Sequence, residues 1–319
     1  MTPATAMSIN FLPAVQIPGV VSLPPVAAPS QNPVVSVPAS AAPTAPPNLL
    51  DIFGKLKCRP DIPNGVYHAD RSCVSSTGLK AALVSGAHYM AYLNGSNKET
   101  PAKRLGSLFH ARVLEPDVYA LEYAVAPVGD RREKAYKEFA LQNADRIVIT
   151  PEEAALAENV ADSIATHSGA DALLRGALIE HTFIWQDEET GVWCKIRPDA
   201  LNLNVADGIC VDLKSTTDVG MDAFKFTIRK YSYDLSAAFY LEGLRVCFGR
   251  DFDFGFLPFE KEAPFGRALY GAPENMLLRG RRMFRQALRN IAQWRKTGEY
   301  PNLQPDGMFE MIDWPNYWG

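Results

Sequence analysis

The run Lys195-Ile196-Arg197-Pro198-Asp199, followed 13 residues after its aspartate by Asp212-Leu213-Lys214, decides how this chain is read. Side chains alternate across a strand, so Asp212 and Lys214 share one face and Leu213 turns to the other. The same parity groups Lys195, Arg197 and Asp199. Between the two runs, Asn202-Leu203-Asn204 to Asp207-Gly208 is rich in turn formers and predicts a hairpin that sets Asp199 beside Asp212. Upstream, residues 177–186 are rich in branched and aromatic types and predict a strand. Residues 187–191 turn the chain, 192–203 run back, and 208–215 form the most apolar segment of the three. An antiparallel trio is the economical arrangement, and on it Glu180, Asp199 and Asp212 converge near one end of the sheet.

Carboxylates clustered in an otherwise apolar sheet are costly unless their charge is compensated, and hard oxygen ligands of this kind suit Mg²⁺, with Mn²⁺ as a substitute. Such an ion lowers the pKa of a bound water, polarises a phosphoryl oxygen and stabilises a leaving oxyanion, the tasks of phosphodiester hydrolysis. Lys214, on the face of Asp212, is placed to orient the attacking water or to stabilise its hydroxide form. Leu213 offers a backbone carbonyl.

Pro198-Asp199 followed by Asp212-Leu213-Lys214 resembles the two halves of the PD-(D/E)XK nuclease signature. Leu105-Gly106-Ser107-Leu108-Phe109-His110, on an amphipathic helix pattern, resembles the Gly-x-x-x-His motif of the RecB-like and exonuclease VIII-like branch, in which the histidine is a metal ligand. Tyr233 to Tyr240 resembles the helix that carries Gln and Tyr one turn apart, with Ser236 in the glutamine position and Tyr240 in that of the tyrosine. The likeness to the exonuclease VIII family extends from Asn64-Gly65-Val66-Tyr67-His68, through the Leu79-Lys80 helix and the Glu180 to Trp185 strand, to Trp318. It implies a metal set of His110, Asp199, Asp212 and the Leu213 carbonyl, with Glu180, Asp199, Asp212, Lys214 and Tyr240 as catalytic residues and one ion or a pair. The implied activity is a Mg²⁺-dependent exonuclease acting on double-stranded DNA ends. It degrades one strand from the 5′ end and leaves a 3′ single strand for an annealing protein, in a phage-derived recombination system and as a homo-oligomer closed around DNA.

Residues 1–50 carry no charged side chain and hold 11 of the 24 prolines, so residues 1–55 are expected to form a disordered Pro/Ala-rich arm. The prolines break every apolar run well short of 18 residues and no basic start precedes them, which argues against a signal sequence or membrane span and for a cytoplasmic protein. The five cysteines lack the spacing of a zinc or iron–sulfur site and suit reduced thiols. A net charge of −4 argues against an unstructured nucleic-acid coater and leaves room for a local basic groove. Candidate patches are Lys225, Arg229 and Lys230 on one helix, and Arg279, Arg281, Arg282, Arg285 and Arg289 on the last. Lys195 and Arg197 either contact phosphate or pair with the acidic turn Asp187 to Glu189. No Walker-type loop occurs.

The expected architecture is a single α/β domain over 60–319 with the PD-(D/E)XK restriction-endonuclease-like core, a central mixed β-sheet flanked by helices. Helices are expected near 75–85, 103–116, 132–143, 151–168, 219–231, 234–248 and 272–297, with a strand near 252–260. Two rival functions remain: a DNA-end binding or recombination-accessory protein that does not cut, and an endonuclease of Cas4-like or restriction type.

Overall fold

The computed structural model describes residues 48–54, 58–60, 62–95, 100–205, 207–304 and 309–312. Its strands are β1 (Cys58–Arg59), β2 (Tyr123–Val125), β3 (Ile147–Ile149), β4 (Leu178–Ile179), β5 (Thr182–Gln186), β6 (Trp193–Ile196), β7 (Ala200–Asn202), β8 (Ile209–Thr216), β9 (Asp253–Glu260) and β10 (Tyr270–Gly271). The first helices are α1 (Leu49–Phe53), α2 (Asn64–Ala69), α3 (Ser76–Val84), α4 (Gly86–Leu93), α5 (Pro101–Leu114) and α6 (Pro116–Glu122). They are followed by α7 (Lys134–Gln142), α8 (Pro151–Ala165), α9 (Ser168–Leu174), α10 (Met221–Tyr231), α11 (Tyr233–Phe248) and α12 (Glu274–Thr297).

The central sheet has the order β10-β9-β8-β7-β4. β8 and β9 are parallel, with Asp212 against Phe256, and the other pairs are antiparallel, so the sheet is mixed as expected. Alternation along β8 sends Cys210 to one face and Val211 and Leu213 to the other. Cys210, Phe254 and Phe256 join Leu79, Phe239 and Phe284 of α3, α11 and α12 in one core. Val211, Leu213, Leu257 and Phe259 join Leu108, Phe109, Val160 and Ile164 of α5 and α8 in a second core.

The antiparallel trio is not a single sheet. The strand expected over 177–186 divides: β4 pairs with β7 in the central sheet, while β5 pairs with β6 in a separate sheet of order β1-β5-β6. The strand expected over 192–203 divides at the same level into β6 and β7. The causes are local. Pro198 has no N–H to give a ladder, and Glu180 adopts the left-handed region, φ +52°, which few non-glycine residues enter. Across the break the Glu180 N–H donates to Asp199 O at 3.3 Å.

Three further expectations are corrected. Residues 49–53, assigned to the arm, form α1, whose Leu49 and Phe53 pack with Ile62, Tyr67, Cys73 and Ile184; residues 1–47 of the arm lie outside the described residues. Lys195 and Arg197 meet neither the acidic turn nor the face of Asp199. Lys195 Nζ is fully buried and donates to Tyr67 O at 2.6 Å and to Asp70 O and Oδ2, both at 2.9 Å. Arg197 donates to Thr182 Oγ1 and to Ile62 O and lies 4.4 Å from the centroid of the Tyr67 ring. The acidic turn pairs instead with α12: Arg285 contacts Asp187 and Glu242, and Arg289 Nε donates to Glu189 Oε1 at 2.5 Å. Arg279 is likewise bound to Asp234. Of the six arginines on α12, Arg279, Arg285 and Arg289 therefore serve internal ion pairs and Arg295 donates to the Tyr89 hydroxyl, while Arg281 and Arg282 are exposed.

α11 and α12 cross so closely at Gly280 that a Cβ there would lie 2.0 Å from Asp234 O and 2.6 Å from its carbonyl carbon. Backbone atoms on both sides cannot yield without moving a helix. Gly280→Ala is expected to destabilise the protein by about 2 kcal/mol or more, whereas Gly271→Ala, which meets nothing within 4 Å, is expected to be near neutral. Urea unfolding of the two variants checks this.

Candidate active site

The site forms where the two divided strands change sheets, between the two cores. α5 enters through a full N-terminal cap, with Pro101 in the first turn and Thr100 Oγ1 accepting from Lys103 N at 3.2 Å. Two ion pairs lock it to α8: Arg104 with Glu153, and bidentate Arg112 with Glu158 at 2.7 and 2.6 Å. Phe109 is fully buried edge-to-face against Phe259 of β9, ring centroids 5.6 Å apart. The next residue, His110, is thereby carried to the end of the sheet.

There His110 Nδ1 lies 3.7 Å from Asp199 Oδ2. His110, Glu180 and Asp199 each offer one donor atom, and these atoms lie within 4.8 Å of one another. The same Asp199 Oδ2 accepts from Leu213 N at 2.6 Å, a cross-strand contact that continues the β7–β8 register in which Ala200 faces Val211. The expected juxtaposition of Asp199 with the Asp212-Leu213-Lys214 step is present, and Glu180 joins it.

Asp212 is not within that span of all three donors. It is buried on the opposite face of β8 to Leu213, with Lys214 Nζ 2.6 Å from its Oδ2. The contact is ionic and lies outside hydrogen-bond geometry, so this buried oxygen has no hydrogen-bond donor. Lys214 Nζ instead donates to Leu213 O at 3.1 Å, occupying the carbonyl expected to face a metal. Tyr240 is partly buried against Phe254, ring centroids 6.5 Å apart; Ser236, one turn earlier, is buried. Burial pushes the Tyr240 phenol well above its ordinary range, reinforced by Tyr67, Asp212 and Asp199.

Burial, and then the neighbouring Asp199 carboxylate, push the Glu180 pKa well above the ordinary carboxylate range. Burial also raises Asp212, opposed by the Lys214 charge and reinforced by Asp199. For Lys214, burial disfavours the ammonium, but Asp212 and Asp199 outweigh it and the pKa rises. Lys214 is thus a cation, which suits it to stabilising negative charge and not to accepting a proton. Carboxyl groups driven toward their neutral forms by burial and by one another are the sign of negative charge in excess of what the Lys214 ammonium offsets. An O,O,N donor set at this spacing fits a divalent cation of the Mg²⁺ or Mn²⁺ class.

Lys80 and Tyr233 also border the site and were not assigned a role from sequence. Lys80 Nζ stands 5.3 Å, and Lys214 Nζ 5.2 Å, from the centroid of the Tyr233 ring. Burial, and then the Lys214 charge, lower the Lys80 pKa to about 8. Their spacing carried no signal, because α3 and α11 meet only in the folded chain.

The site thus sits on a mixed central sheet covered by helices on both faces, with the histidine of α5 brought against the carboxylates of the sheet. Residues 75–305 match the family described as PDDEXK-like domain of unknown function (DUF3799), and the chain belongs to that family and with it to the PD-(D/E)XK nuclease superfamily. The fold is similar to the crystal structure of a proposed exonuclease from Eubacterium rectale, at 15% identity and a TM-score of 0.51, covering 72% of this chain and 84% of that one. A second solved structure, SSO0001, aligns over 57% of this chain and 86% of its own at 16% identity, with a TM-score of 0.25. No curated protein matches the chain. Among the described residues no helix is long and apolar enough to cross a membrane, and all five cysteines are free thiols.

The raised carboxyl groups set the sign of a pH effect. A carboxyl whose folded pKa exceeds its unfolded value binds more protons folded than unfolded, so stability falls as pH rises from the ordinary carboxylate range through the folded value. In chelator, the protein is expected to lose thermal stability over that window, and Glu180→Gln to lose less. Mg²⁺ or Mn²⁺ should restore stability at neutral pH in the wild type and not in Asp199→Ala. Melting curves at pH 5 and pH 8 measure both effects.

Proposed function

We propose that this protein is a divalent-metal-dependent exonuclease of double-stranded DNA that hydrolyses one strand from its 5′ end and leaves a 3′ single strand for annealing. The observation that carries this reading is the convergence of His110, Glu180 and Asp199 within 4.8 Å beside the Asp212-Leu213-Lys214 step of β8. His110, Glu180 and Asp199 would hold the ion, with Asp212 completing the negative site. A bound Mg²⁺ supplies polarisation of the scissile phosphoryl group and acidification of water.

The chain's own groups have separable tasks. Lys214, fixed between Asp212 Oδ2 and Leu213 O, keeps its charge and directs it at the negative charge that develops on the phosphoryl oxygens as water adds and the P–O bond breaks. Asp212 holds that ammonium in place. The Leu213 N–H fixes the Asp199 carboxylate, so its remaining lone pairs are oriented before any substrate arrives. Tyr240 packs beside these groups as a supporting wall. The 5′ polarity, the annealing partner and assembly into a homo-oligomer around DNA come from the likeness to the exonuclease VIII branch.

A second reading, a nuclease-fold protein that binds DNA ends without cutting, draws on Ser236, whose short buried side chain replaces the glutamine of that branch. End-labelled linear duplex and closed circular duplex, incubated with Mg²⁺, separate the alternatives. Loss of label from linear DNA alone supports the exonuclease, nicking of circles an endonuclease, and binding without loss of either an accessory role. Lys214→Ala is expected to lower kcat by about 10²–10³-fold and Asp212→Ala to abolish measurable cleavage, both with wild-type circular dichroism. Activity retained in either removes the assignment. Ca²⁺ in place of Mg²⁺ is expected to support DNA binding with little turnover, because its looser coordination poorly holds in-line geometry.

A further inference from the structure

Lys80, on α3, is a partly buried amine that makes no hydrogen bond or ion pair among the described residues and packs instead over Tyr233, 5.3 Å from the ring centroid. Lys214 shares that ring at 5.2 Å. Tyr233 in turn stacks on Tyr231, centroids 5.7 Å apart and planes 25° apart, across the corner between α10 and α11. Tyr231 is 49% exposed, and Lys230 Nζ lies 5.1 Å from its ring. A strip of cations and stacked rings thus runs from Lys214 of β8 out to solvent.

The arrangement is informative because Lys80, unlike Lys214 with its Asp212 partner, has no carboxylate in contact among the described residues. An ammonium packed on a ring keeps its N–H donors available, whereas Arg279, Arg285 and Arg289 of α12 have theirs bound to carboxylates. Of the two ammonium groups sharing the ring, Lys214 is offset by the Asp212 carboxylate, and Lys80 is left to face the Lys214 charge without a contacting anion of its own. An exposed tyrosine in register behind them offers a flat apolar face. Phosphates in series, each followed by a base, match that alternation, and a single-stranded segment is the form in which bases are free to stack.

We propose that Lys80 and Tyr231 form a subsite for the DNA strand beside the scissile phosphate, Lys80 taking an adjacent phosphate and Tyr231 stacking a base. The subsite rests on the nuclease reading given above and adds to it the path of the strand, over the α10–α11 corner. Lys80 is a substrate-contacting residue that acts on binding, with Lys214 left to the chemistry.

The test uses the full chain and an end-labelled duplex with a short single-stranded end. Binding is measured with Ca²⁺ over a salt series, and digestion with Mg²⁺. Lys80→Met, which keeps the length of the stem, is expected to weaken binding about tenfold and to lower the slope of log K against log salt by roughly 0.7–0.9, the share of one phosphate contact. It should raise KM more than it lowers kcat. Lys80→Arg should retain the wild-type slope, which loss of packing alone would not predict. Tyr231→Ala, an exposed position, should weaken binding by about tenfold with the slope unchanged. Wild-type affinity and slope in Lys80→Met, or unchanged affinity in Tyr231→Ala, overturns the subsite while a cleaving wild type leaves the nuclease reading standing. A wild type that neither binds nor cuts DNA removes both.

Discussion

The bond from the Leu213 N–H to Asp199 Oδ2, at 2.6 Å, is the contact around which the site is arranged. It ties the start of β7 to the Asp212-Leu213-Lys214 step of β8, because β7 begins after Asp199 and leaves that carboxylate outside the ladder. Pro198 and the left-handed Glu180 make this break, and the same break brings the two carboxyl groups together. A continuous strand would have placed Asp199 on a face of the sheet, by alternation, with Glu180 in a separate row. Backbone strain at one residue is therefore tied to the spacing of the donor set.

Positive charge is divided by chemistry. Arginines, whose planar forks suit bidentate pairing, are used to join helices: Arg104 and Arg112 to α8, and Arg279, Arg285 and Arg289 of α12 to α11 and the 187–191 turn. Lysines, compact and with rotatable donors, serve single buried carboxylates, Lys195 on Asp70 and Lys214 on Asp212, and Lys80 alone of these three packs on a ring with no carboxylate in contact.

Most of the elements were legible in the sequence, because helices such as α5, α8, α11 and α12 carry clear caps or periodic apolar faces, β8 opens on the apolar run Ile209-Cys210-Val211 and β9 is apolar from Phe254 to Phe259. Strand parity made the shared face of Asp212 and Lys214 legible, whereas His110 was legible only through the resemblance of Gly106 to His110 to the Gly-x-x-x-His motif. Three things were not. Nothing in Leu178-Ile179-Glu180-His181 announces a positive φ, which usually needs Gly or Asn, so the change of sheet was hidden and Glu180 was placed in one strand with Trp185. The carboxylate partners of Lys195, Arg285 and Arg289 lie 43 to 125 residues away, and like-looking charges give no sign of which carboxylate they meet. Lys80 could not be distinguished from a solvated helix lysine before Tyr233 was set against it.

Asp70 joins segments that are far apart in sequence. Its Oδ1 accepts from Leu49 N and Ser72 N, its Oδ2 accepts from Cys73 N, and the same carboxylate neutralises Lys195 inside the β5–β6 sheet. The family likeness begins at residue 75, yet a chain started there would strand an ammonium in the interior with no counter-ion and would strip two carbonyl acceptors from it. Desolvated charge left alone in this way is among the costliest defects a folded protein can carry. The packed unit consequently reaches N-terminal to the family match, to Tyr67 and Asp70 at least, and it is the need to neutralise one interior ammonium that sets this reach.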